Sequence, residues 1–303
     1  MRGAQVFATG RISRRALVAR LTIGQHGWYM DHADQLNHLR RESAALERAV
    51  RQAAGAPGAL LVPSCPEWSV ADLALHMGAV YRVVARLVTE RRDTPPDPAD
   101  LSHLDLPADT AHWPPTDRPA EQPFAGPVPP GLADWLATGA AALAAALAET
   151  PLDTRVWTYG ADPTVAFWLR VQAIEVSLHR WDAERALGEP GAPLATDLAV
   201  DAVAQTFEVM APVRRVLRPA PAGAGECYRL RRTDGPQSWT VRFEGEQVLI
   251  LDPADEQVRP DVELAGSAGD LVLFLWGRLP ADRLAVSGDR AVLERYFTLV
   301  PQV

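Results

Sequence analysis

The chain has 303 residues, 48% hydrophobic, 22% charged and 7% aromatic, an ordinary globular composition that excludes collagen-like, coiled-coil and wholly disordered readings. Its 30 basic and 38 acidic residues leave a formal charge of −8, so the basic surplus that marks nucleic-acid or anionic-membrane partners is missing. All 30 basic residues are arginine, which reads as GC-rich codon usage, and the two cysteines, Cys65 and Cys227, are too few for a disulfide framework. That cysteine usage points to a reducing cytoplasm, and no run approaches the roughly eighteen apolar residues of a membrane span.

Residues 1–29 match nothing that follows. Arg14 and Arg15 suggest a twin-arginine export signal, but Arg20 interrupts the apolar stretch behind them. The expectation is an N-terminal extension that is either disordered or the product of a mis-assigned upstream start. From Asp31, apolar residues at Ala33, Leu36, Leu39, Leu46 and Val50 predict a helix. A second helix is expected over Ser69–Glu90, where Ser69 and Asp72 form a capping box and Trp68 could staple the first turn. Behind that start, Leu73, His76, Met77, Val80, Val83, Val84 and Leu87 form one broad stripe.

Residues 93–130 hold 11 of the 26 prolines, a density that prevents helix and sheet interiors alike. Such a stretch is disordered or a functional lid, and His103 and His112 within it read as solvated. A third, Ala-rich helix is expected over Leu132–Glu149. A fourth should begin near Asp162-Pro163, with Asp as cap and Pro in the first turn, and stop at Gly188. Four helices with one long crossover predict a four-helix bundle over 30–190.

After Pro190 the texture changes. Asp197–Leu217 reads as one helix and Pro219–Gly225 as a flexible connection. Strand-like runs follow at Cys227–Arg231, Ser238–Phe243, Gln247–Leu251 and Asp261–Leu264. Asp270–Gly277 reads as a short helix, Leu284–Val286 as a short strand and Ala291–Phe297 as a last helix. The fold class is therefore α plus α+β, with a small α+β domain over 191–303.

Glu175 and His179 lie four apart on the fourth helix and project from one face. His76 lies in the stripe of the second helix. If the two helices face each other, two imidazoles and one carboxylate converge, and three such ligands with a fourth position open describe a catalytic zinc site. From spacing alone, a solvated Glu–His pair and a hydrogen-bonded core histidine are the commoner readings. Asp34 and His38 repeat the spacing on a highly charged helix and read as a surface pair. Asp182, three beyond His179, could orient that imidazole from behind or pair with Arg185.

Five stretches carry a resemblance. VPSCPEWSVADLALHMGAVYRVV (62–84) and FWLRVQAIEVSLHRWDAERALG (167–188) resemble the N-terminal motifs of the mycothiol-dependent maleylpyruvate isomerase family, a group with a DinB-like bundle. SWTVRF (238–243), AGSAGDLVLFLWGRLP (265–280) and LAVSGDRAVLERY (284–296) resemble its C-terminal domain. The likeness implies that His76, Glu175 and His179 are ligands of Zn2+ or another divalent transition metal. It also implies that Arg278 serves the active site, and that mycothiol, the low-molecular-weight thiol of GC-rich actinobacteria, is the thiol cosubstrate. The leader and the 93–130 segment depart from the pattern.

On that basis the chain is expected to be a metalloenzyme that activates mycothiol thiolate against a small electrophile, as a cis–trans isomerase or an S-transferase. A zinc-water hydrolase and a non-enzymatic small-molecule-binding bundle or anti-sigma-like regulator are the competing readings. Cys65, in a Pro-flanked turn with no adjacent base, is not expected to be the nucleophile.

Overall fold

A computed structural model describes residues 30–97, 99–115, 122–252 and 258–302. The expectation about residues 1–29 lies outside them. The described chain divides into two compact units, Asp31–Leu194 and Ala195 onward.

The first unit is built on four helices, α1 (His32–Ala53), α2 (Val70–Thr89), α3 (Leu132–Glu149) and α4 (Val165–Ala186), with a two-stranded ribbon, β1 (Leu61–Val62) and β2 (Cys65–Ser69), leading into α2. Asp31 opens α1 by accepting the Ala33 amide at 2.7 Å. At α2 the expected capping box is present: Ser69 Oγ accepts the Asp72 amide at 3.3 Å and Asp72 Oδ2 accepts the Ser69 amide at 2.8 Å. Behind the cap, α2 is buried on nearly all sides rather than along one stripe, as befits the central helix of a bundle.

Small residues let α2 and α3 approach. A Cβ at Gly78 would collide with the Trp135 ring, and one at Gly139 with the Arg82 guanidinium. Arg82 is buried between these helices, stacked 4.1 Å from the Trp135 ring centroid, and donates to the Gly78 and Trp135 carbonyls. Helix α3 is long and apolar enough to cross a membrane by length and composition, although Asp134 and Thr138 interrupt its apolar run. Here Leu132, Trp135, Leu136, Leu143 and Leu147 face the bundle core.

The proline-rich stretch is irregular, yet its described parts are tied down. Leu104, Trp113 and Val128 are buried, and Trp135 Nε1 donates to the Leu104 carbonyl at 3.0 Å. His112 is exposed and His103 half-buried.

Helix α4 starts later than the Asp162-Pro163 signal implied. Thr164 is its cap and makes no side-chain capping bond. The reason lies in the backbone: Arg155 and Thr164 form a β-bridge. Val165 and Ala166 then donate their amides to Thr154 and Leu152, both at 3.0 Å. Amides that a cap would have satisfied are thus already paired. The helix ends as expected before Gly188, whose φ is +83°.

The surface reading of Asp34 and His38 needs correction. Asp34 is exposed, but His38 is buried at 5% exposure, beside Gln35, Glu42 and Ser43 on the inward face of α1. Glu42 is matched by Arg180 of α4, whose Nε donates to Glu42 Oε2 at 2.8 Å. That pairing lets a charged-looking helix bury a polar stripe. Cys65 lies on strand β2 rather than in a turn and is half-buried; Cys227 is buried, and among the described residues neither is in a disulfide.

The second unit opens with α5 (Thr196–Gln205), a π-turn (Thr206–Met210) and α6 (Ala211–Leu217) in place of one regular helix. A five-stranded sheet follows, comprising β3 (Gly223–Arg232), β4 (Ser238–Gly245), β5 (Gln247–Leu251), β6 (Val262–Gly266) and β7 (Ala285–Gly288) in the order β5-β4-β3-β6-β7. β3 runs parallel to β6 and every other neighbour is antiparallel. Helices α7 (Ala268–Leu275) and α8 (Arg290–Leu299) complete the unit. The connection read as flexible is anchored: Arg215 donates to the carbonyls of Pro221, Gly245 and Leu299, and β3 already begins at Gly223. Tyr228, Trp239, Val241, Phe243 and Leu264 alternate onto the buried face of the sheet.

Candidate metal centre

Helices α2 and α4 bring together residues 99 positions apart: His76 Nε2 lies 3.3 Å from Glu175 Oε1. His179 joins them one turn further along α4, its ring centroid 5.2 Å from that of His76. One ligand atom from each of His76, Glu175 and His179 lies within 4.8 Å of the other two. Two ligands each about 2.0 Å from a tetrahedral ion stand about 3.3 Å apart. The His76–Glu175 spacing is already that of a coordination edge, and the two-imidazole, one-carboxylate donor set suits zinc or a similar divalent ion.

Burial grades across the three side chains, from 6% exposed at His76 through 17% at His179 to 24% at Glu175, so the site opens on the Glu175–His179 side. Burial holds the His76 imidazole below its ordinary pKa, against the opposing pull of Glu175. It is therefore a neutral imidazole at neutral pH. For Glu175, burial pushes upward, but the hydrogen bond and charge of His76, with His179 and Gln172 behind them, outweigh it and leave the carboxyl below its ordinary value. Both shifts favour the ligand forms.

Three further groups shape the site. His179 Nδ1 donates to Asp182 Oδ2 at 3.1 Å, and Ser64 Oγ donates to the other oxygen, Asp182 Oδ1, at 2.6 Å. Asp182 is 2% exposed. The proton on Nδ1 leaves Nε2 of His179 as the lone-pair nitrogen. The Trp68 ring stacks on His179 at 6.2 Å and meets His76 edge-on at 5.0 Å, and so walls the site. On α4, Gln172 Nε2 donates to Glu175 Oε2 at 2.8 Å.

Ser64, Trp68 and Gln172 were not singled out from sequence as site residues. Ser64 and Trp68 reach the site through the β1–β2 ribbon, whose two-residue first strand has no periodicity to read. Gln172 did carry a signal: it stands three before Glu175, as Asp182 stands three after His179, on one face of the helix.

Arg278 belongs to the second unit. It follows α7, is half-buried, and donates from Nη1 to the Trp276 carbonyl at 3.0 Å with its guanidinium 5.9 Å from the Trp276 ring. It lines a cavity of about 550 Å³ with Phe274, Leu279, Arg290, Leu293 and Phe297.

Comparison with known proteins gives a consistent result. Residues 33–184 match the profile of the mycothiol maleylpyruvate isomerase N-terminal domain, and residues 197–295 match that of the MDMPI C-terminal domain. A crystal structure of a mycothiol-dependent maleylpyruvate isomerase is similar at 16% identity and TM-score 0.55, covering 85% of this chain and 93% of that one. A histidine-to-alanine mutant described by the same name aligns over the same shares at 14% identity and TM-score 0.53. At these identities the likeness is one of fold. No curated protein sequence matches the chain. With the family's two domain profiles in order along the chain, one of them spanning half its length, the protein belongs to the mycothiol maleylpyruvate isomerase family.

Proposed function

We propose that this chain is a zinc-dependent enzyme that uses mycothiol to isomerise a small cis-unsaturated carbonyl compound. The observation that carries the reading is the convergence of His76, Glu175 and His179, all within 4.8 Å, on facing helices of the family's bundle domain. A dication held by these three residues would bring a coordinated thiol to its thiolate, the nucleophilic form, at a pH where the free thiol, of pKa about 8.5, is mostly protonated.

The chain's own residues supply the rest. His76, kept neutral by burial, and Glu175, kept ionised by its neighbours, already hold the charge states that a cation needs of them. Asp182, clamped by Ser64, holds His179 in the tautomer that offers Nε2. The indole of Trp68 keeps water from the imidazole faces. Arg278 is assigned the substrate's carboxylate or the enolate that develops as a thiolate adds to the double bond. Addition makes one C–S bond and turns the double bond into a rotatable single bond; after rotation, elimination restores the double bond in trans geometry and releases the thiol unchanged.

The test is an assay of the zinc-loaded protein with maleylpyruvate, with and without mycothiol. Turnover that requires the thiol and yields a product of unchanged mass supports isomerisation. A product heavier by the thiol means S-transfer, and turnover without thiol means a hydrolase. Arg278→Ala should depress turnover while leaving zinc content unchanged.

A further inference from the structure

Helix α4 carries a buried polar residue that the mechanism above leaves without a role. Gln172 is 0% exposed, among Val171, Ala173, Ile174 and Val176, all buried and apolar. Its Nε2 donates to Glu175 Oε2 at 2.8 Å, while Glu175 Oε1 lies 3.3 Å from His76 Nε2. The two carboxylate oxygens thus have separate duties. One is occupied by the amide from its own helix, and the other faces the imidazole across the bundle.

Gln172 Oε1, buried with its side chain, has no hydrogen-bond partner among the described residues. A buried acceptor left unmatched opposes folding, and an apolar side chain of similar volume avoids that cost. Packing alone therefore favours leucine or methionine at this position. What glutamine adds is one N–H donor aimed at Glu175.

We infer that Gln172 is a positioning residue of the metal centre: by holding Glu175 Oε2, it makes Oε1 the single oxygen offered to the cation. The inference rests on the metal-centre reading under Proposed function. Single-oxygen binding keeps the coordination number low, and a low coordination number is what leaves room for an exogenous sulfur ligand. Without the amide, the carboxylate is free to swing and close on a cation with both oxygens. Gln172 would thus act on the number of ligands at the ion without touching it.

The experiment compares the full-length parent with Gln172→Leu and Gln172→Met. Zn2+ affinity is measured by competition with a chromophoric chelator, Co2+ absorption reports the coordination number, and the metal-free proteins are melted. The expected result is a Zn2+ affinity about 10–100-fold weaker, the range for partners behind a ligand. Co2+ absorption should weaken as a fourth-coordinate geometry becomes five-coordinate, with a metal-free melting temperature no lower than the parent's. Unchanged affinity and spectrum in both variants would overturn the inference, and so would an affinity loss matched by a lower metal-free melting temperature, since that is the signature of a packing role. A parent that binds no Zn2+ overturns the metal-centre reading itself, and this inference with it.

Discussion

Asp182 shares its two oxygens between His179 and Ser64, at 3.1 Å and 2.6 Å, so each partner has a separable effect. Asp182→Asn keeps the shape but offers the imidazole an amide whose orientation is no longer fixed by charge. It should weaken Zn2+ binding by about 10–100-fold. Ser64→Ala removes one hold on Asp182 while leaving its bond to His179, and should cost less, about tenfold at most. His76→Ala or His179→Ala removes a donor atom outright and should exceed both losses; chelator competition on the four variants gives the order. If Asp182→Asn binds Zn2+ as the parent does, His179 is oriented by something else. Of these residues, Glu175 and His179 were legible because helical spacing alone puts them on one face, and His76 because it interrupts an apolar stripe. Ser64 and Trp68 were not. Their approach depends on a ribbon whose register shifts between Leu61 and Val62, and no local pattern encodes that.

At the scale of elements, the bundle depends on close approach between α2 and α3. A methyl group at Gly78 would displace Trp135, and one at Gly139 would displace the Arg82 guanidinium that bridges the helices. Gly78→Ala should therefore destabilise by about 1–3 kcal/mol, read as a lower midpoint in urea. An unchanged midpoint would mean that the Trp135 indole repacks without cost. Helix existence was readable here from period and caps, as with Ser69 and Asp72, whereas the start of α4 was not. Asp162-Pro163 has the composition of a helix start, but the Arg155–Thr164 bridge holds the chain extended for two further residues. A non-local backbone pairing overrode a local signal. The π-turn at Thr206–Met210 was hidden for another reason: this segment is buried on nearly all sides, from Leu198 to Phe207 and again at Met210, Ala211 and Val213, so it has no one-sided stripe whose shift would mark an extra residue.

Across the whole molecule, three buried phenols set an alkaline limit. Burial pushes Tyr81, Tyr228 and Tyr296 well above the ordinary tyrosine range, while the unfolded chain ionises them near pH ~10. A group whose folded pKa is raised contributes stability that is complete below the unfolded value and lost as pH rises beyond it. Stability should thus fall above about pH 10, and these phenols should ionise only as the fold opens, which simultaneous phenolate absorbance and circular dichroism would record. Tyr296 Oη has no hydrogen-bond partner among the described residues, so Tyr296→Phe should be neutral or stabilising at neutral pH and should flatten the alkaline loss. The change of texture after Pro190 was visible in sequence because Pro and Gly punctuate it; where Arg215 anchors the following segment was not, since its three carbonyl partners come from distant positions.

All three proposed ligands lie within the first unit. The most direct measurement is an anomalous difference map at the zinc edge from crystals of the zinc-loaded chain. The predicted result is one peak about 2.0–2.1 Å from nitrogens of His76 and His179 and from Glu175 Oε1. A peak coordinated by other residues, or no peak from protein supplied with zinc, would contradict a metal centre between α2 and α4.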